Sequence, residues 1–156
     1  MDKAGASGHA RGLIRKLEQI YSSYLKAPAD ERGFAELLSG WFLPPGYSTT
    51  GLEDEQFVEG VGNTVEMLKV VLPRLPAAEQ NAAAAEALRI MLQEPERQLP
   101  RSRQLFLLAV LERGAVLAPY LSGKVKAELR TEMSRQDNPR RFLPSQRRLY
   151  EALSEE

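Results

Sequence analysis

The chain contains no cysteine and a single histidine, His9. Without cysteine there are no disulfides, no zinc–thiolate sites and no thiol nucleophiles. The same absence suits a reducing compartment, and a cytoplasmic location is the expectation. A lone histidine cannot supply the Glu-x-x-His pairs of a helix-bundle di-iron centre. No apolar run approaches the roughly 18–20 residues of a membrane span. The N-terminal stretch Met-Asp-Lys-Ala-Gly-Ala-Ser-Gly-His-Ala lacks the apolar region of a signal peptide, so no membrane association is expected. No segment alternates apolar and polar residues with period two for any length, which predicts no sheet.

What remains is helical. The 156 residues fit one domain, expected as a flexible N-terminal tail over 1–8 and a single all-helical domain over 9–154. Leu13, Ile14, Leu17, Ile20, Tyr21, Tyr24 and Leu25 recur at helical spacing and predict an amphipathic helix from His9 to Ala27. A short helix is expected from Asp30 to Phe42. The proline- and glycine-containing stretch Leu43–Gly51 reads as a loop. Within Trp41–Tyr47 the aromatic residues suit either a lid over the core or a recognition loop.

A helix over Asp54–Leu72 follows, with Glu53, Asp54 and Glu55 at its first turn, where the helix dipole favours negative charge. The alanine-rich Ala77–Gln93 is the firmest helix. Ser122 reads as the cap of a helix to Arg135, Asn138-Pro139 as its stop, and Ser145–Ser154 as the last helix. Leu-Pro occurs five times, each time at a predicted helix boundary.

The longest unbroken apolar run is Leu105–Leu111. It lies between Pro100, welcome in a first turn, and Gly114, read as a C-cap. A helix apolar on all sides is ordinarily buried. The expected architecture is therefore all-α: a compact bundle of six or seven helices around a central buried helix at about 100–113. A short α-solenoid is the alternative.

Short motifs carry little. Ser23-Tyr24-Leu25-Lys26 has the S-x-x-K spacing of the penicillin-binding proteins, but the companion S-D-N and K-T-G elements are missing. Gly123-Lys124 lacks the other residues of a phosphate loop. Gly60-Val61-Gly62 lacks the third glycine and the preceding strand of a dinucleotide site, and close approach of another helix explains it better. Glu53, Asp54, Glu55 and Glu59 do not follow the alternating pattern of a calcium loop. No catalytic residue, cofactor site or metal site is assigned, and a non-catalytic role is favoured over an enzyme.

Charge is the informative feature. The net is zero, but residues 28–66 hold eight acids and one base, a net of −7, whereas 97–148 hold twelve bases and four acids, a net of +8. Lys124, Lys126, Arg130, Arg135, Arg140, Arg141, Arg147 and Arg148 form the expected partner-binding surface of a helical interaction or regulatory module. The partner expected for it is an acidic protein segment or, since the chain carries both signs, a second copy. A weak nucleic-acid-binding regulator using the same arginines is the alternative. The near-neutral overall charge and a predicted connection of about nine residues, where a helix-turn-helix takes three or four, speak against it.

Overall fold

The computed structural model describes residues 3–26, 49–95, 99 and 101–155. The expected helix Asp30–Phe42 and the Trp41–Tyr47 stretch lie outside these residues.

The apolar stripe of the first helix dictates its packing. α1, Lys3–Lys26, buries Leu13, Ile14, Leu17, Tyr21 and Tyr24, and the same face continues through Ala6 and Ala10. Residues 3–8, expected as a tail, thus belong to the helix. The alanines there allow helix and burial together, because they cost little side-chain entropy. α2, Thr49–Val71, packs along α1. It starts five residues before the expected Asp54, so Glu53, Asp54 and Glu55 lie beyond its first turn. Gly60 sits where the two helices meet: a Cβ there would come within 3.1 Å of Ile20 Cδ1.

A 3-10 turn, Leu72–Arg74, leads to α3, Ala77–Met91, which lies against α1 and buries Ala83, Ala84, Ala87 and Leu88. The Leu-Pro pairs work as the sequence suggests where they are described. Leu72 and Leu75 are buried, Pro76 is the N-cap of α3, and Pro144 opens the last helix. The second half holds α4, Arg101–Ala109, and α5, Leu111–Gly114. Then come the 3-10 segment Ala115–Tyr120, α6, Gly123–Gln136, a 3-10 turn Pro139–Arg141, and α7, Pro144–Ser154. No strand occurs among the described residues. The fold is an all-α bundle, and buried side chains from both halves join in one core.

The centre differs from the expectation. The run Leu105–Leu111 is not a buried helix: it breaks at Val110, and only Val110 and Leu111 are buried. Leu105 keeps 46% and Phe106 36% of its surface. An apolar composition on all sides makes burial of any side favourable, but the described residues cover α4 on only part of its circumference. The central place belongs instead to Ala115–Tyr120, which packs on α2, α3, α5 and α7. Pro119 is incompatible with a regular helix interior, and the tighter 3-10 coil carries Leu117 and Ala118 into the core.

Gly114 is not a left-handed C-cap. Its backbone is right-handed, with φ −69°, and a Cβ on it would stand 2.6 Å from Leu88 Cδ2. Glycine there lets the chain approach α3 closely.

Among the described residues no helix is long and apolar enough to cross a membrane.

Candidate functional site

The eight basic residues are spread along α6, the turn that follows it and α7, and three of them already have partners. α6 is capped as expected, with the Ser122 hydroxyl accepting from Val125 N–H at 3.3 Å. At its beginning Lys124 is exposed, and Lys126 donates from Nζ to the Glu155 carbonyl at 2.9 Å. Arg130 lies half-buried along the helix, with a buried Nε that has no hydrogen-bond partner among the described residues. Arg135 reaches Glu132 at 2.6 Å and Glu94 at 2.8 Å. Its hydrogen bonds, with those of Gln136 second, hold the Glu132 carboxyl below the usual range. Arg148 pairs with Glu112 at 3.1 Å.

This leaves Arg140, Arg141 and Arg147 together, with no side-chain partner among the described residues. They sit around the 3-10 turn joining α6 to α7. Lys124 is also without a side-chain partner among the described residues, but it stands at the other end of α6, about 20 Å away at 1.5 Å per residue.

Local chemistry fixes the shape of this basic tip. Asn138 Oδ1 accepts from Arg140 N–H at 3.0 Å, and the Asn138 carbonyl accepts from Arg141 N–H at 2.8 Å. Gln146, buried in the first turn of α7, accepts from Leu143 N–H at 2.8 Å. Phe142 turns inward and meets Tyr150 edge-on, with ring centres 5.5 Å apart. Gln136 ties the end of α6 to α3 by donating to the Leu92 carbonyl at 2.6 Å. Arg140, Arg141, Leu143, Pro144 and Arg147 are exposed, beside Asp137 and, one turn further along α7, Glu151. Leu143 keeps 36% of its surface, so the tip offers an apolar contact among its cations.

A second polar cluster lies inside the molecule and was not anticipated from the sequence. Tyr24 donates its hydroxyl to the buried Asp54 carboxylate at 2.5 Å and stacks on Phe57 with ring centres 4.0 Å apart. Arg103, 2% exposed, donates to the Tyr24 carbonyl at 3.2 Å and lies over the Tyr24 ring. Tyr21 is buried beside them, and desolvation drives its hydroxyl pKa well above the usual tyrosine value. The sequence held only one hint of this cluster, aromatic residues on the α1 stripe. The arginine that completes it comes from 79 positions away. The cluster draws its residues from α1, α2 and α4 and joins them.

Among the described residues no group of three or more His, Cys, Asp or Glu side chains is placed to hold a metal ion. Glu55 and Glu59 are exposed and Asp54 points inward, so the expected acidic group is divided.

No family model matches this chain, and no curated protein or solved structure is similar to it.

Proposed function

We propose that the protein is a non-catalytic helical interaction module that docks an acidic protein segment on the tip formed by Arg140, Arg141, Leu143 and Arg147. The observation that carries this reading is that three arginines without side-chain partners among the described residues lie within four positions of an exposed leucine, on a turn fixed by Asn138, Phe142 and Gln146. A fixed turn lowers the entropy lost on binding, and arginine pairs carboxylates in a forked geometry. Leu143 adds apolar contact. The reading narrows the eight basic residues to three, because Lys126, Arg135 and Arg148 already have partners, Arg130 is half-buried along α6 and Lys124 is remote.

Fluorescence anisotropy with a labelled peptide of alternating glutamate and leucine tests the proposal. Binding that weakens with salt, and is lost in Arg140→Glu/Arg141→Glu/Arg147→Glu, supports it. Equal binding by wild type and the reversed variant overturns it. A labelled DNA duplex and a single-stranded RNA serve as comparison probes. Tighter binding to either, with a steep salt dependence, transfers the site to nucleic acid.

A further inference from the structure

α4 presents an apolar face that the described chain leaves uncovered. Going around it, Phe106 faces α2, Leu105 and Ala109 point outward, and Leu107 and Leu108 turn toward the end of α3 and the beginning of α7. Leu105 and Phe106 are adjacent and together form a patch flanked by charge of opposite sign.

On the α2 side is a groove of about 370 Å³ that Phe106 helps to line. Its rim carries Glu55, Glu59 and Glu66 against one base, Arg113. Arg113 makes no ion pair within 4 Å among the described residues, so the groove keeps an excess of negative charge. On the other side, Leu107 and Leu108 line a groove together with Gln136, Asp137 and Gln146, so the turn that carries the basic tip lies on the side of α4 away from Phe106. The tip holds three arginines against Asp137. The two flanks thus carry net charge of opposite sign.

An apolar strip with an acidic flank and a basic flank is complementary to itself under a two-fold rotation. Each flank of one copy then meets the opposite flank of the other, and the strips meet at the axis. We infer that the chain pairs with a second copy of itself across the outward face of α4, the tip of each copy seated against the acidic groove of its partner. This rests on the reading of the tip as a docking surface and names its occupant. It also accounts for the apolar run. Leu105–Leu111 is apolar on all sides because one side packs within the chain and the other packs within the pair.

Sedimentation equilibrium of the full chain at low and high salt tests the inference. Wild type is expected to form a dimer that salt dissociates. A tip-reversed variant, Arg140→Glu/Arg141→Glu/Arg147→Glu, and a groove-reversed variant, Glu55→Lys/Glu59→Lys/Glu66→Lys, are each expected to be monomeric, with unchanged circular dichroism. Mixed one to one they restore both contacts, so a heterodimer forms. Leu105→Asp, which lies outside the lining of the acidic groove and outside the tip, weakens the dimer at least about tenfold.

A wild type that stays monomeric at every salt and concentration overturns the inference. So does a dimer that survives both reversals, or a mixture that stays monomeric. A monomer that still binds the acidic peptide through Arg140, Arg141 and Arg147 overturns the pairing and leaves the docking function standing, and failure of both measurements overturns both.

Discussion

Arg103 donates from Nη1 to the Tyr24 carbonyl at 3.2 Å while its guanidinium carbon sits 5.2 Å from the centre of the same tyrosine's ring. One side chain of α4 thereby holds both the backbone and the ring of a residue near the end of α1. The ring is stacked on Phe57 of α2, and its hydroxyl holds Asp54. Removal of the guanidinium leaves a buried carbonyl without this donor and opens space in a packed site. Arg103→Ala is expected to cost roughly 2–4 kcal/mol in urea unfolding. Arg101→Ala, an exposed change two residues earlier, stays within about 0.5 kcal/mol. Equal effects from the two would place Arg103 in solvent.

Two neighbouring tyrosines are expected to respond in opposite directions to loss of the hydroxyl. Tyr24→Phe leaves the buried Asp54 carboxylate without its 2.5 Å donor and costs about 1–3 kcal/mol. The buried Tyr21 hydroxyl has no partner among the described residues, so Tyr21→Phe raises stability by about 1 kcal/mol. Chemical denaturation at neutral pH measures both.

Burial also sets a pH dependence. Desolvation raises the pKa of Tyr21 in the folded chain, so the folded state keeps the proton at pH values where the unfolded state releases it. The stability this contributes is complete below the unfolded value near 10. Above it, stability falls by about 1.4 kcal/mol per pH unit from this residue. Tyr21→Phe removes that component of the alkaline slope. Denaturant midpoints between about pH 9.5 and 11.5 for the two proteins give the comparison.

Glycine to alanine separates two kinds of glycine. Gly114→Ala puts a methyl group 2.6 Å from Leu88 Cδ2 in the packed centre and is expected to destabilise by about 1–3 kcal/mol. Gly12 is exposed within α1 with nothing near its would-be Cβ, and Gly12→Ala is expected to stabilise by up to about 1 kcal/mol. Thermal unfolding followed by circular dichroism reads both.

The helices were legible in the sequence because their signals are local. The stripe Leu13–Leu17–Tyr21–Tyr24, the Ser122 cap and the Asn138-Pro139 stop each act within a turn or two. The misreadings arose where the deciding partner is distant. Gly114 at the end of an apolar run resembles a C-cap, and only the approach of Leu88 shows why a side chain is excluded. Leu105 and Leu111 are the same residue type in one run, but Leu105 lies on the side of α4 that the described residues leave uncovered, whereas Leu111 lies past the break at Val110 and is buried.

The basic third of the chain was visible as composition. The division into paired and unpaired arginines was not, because Glu94 lies 41 positions from Arg135 and Glu112 lies 36 from Arg148. The interior cluster was hidden for the same reason. Arg103 reads as a charge flanking an apolar run until α1 and α4 are brought together.

The tip is the centre of the functional account, and residue-by-residue NMR of the isotope-labelled full chain tests it most directly. During titration with the acidic peptide, amide shifts are expected to concentrate over residues 138–147, with smaller changes across the rest of α7. Saturable shifts there, absent from Arg140→Glu/Arg141→Glu/Arg147→Glu, are the predicted result. Saturable shifts confined to the beginning of α6 around Lys124, or to the Tyr24–Asp54–Arg103 cluster, would contradict it.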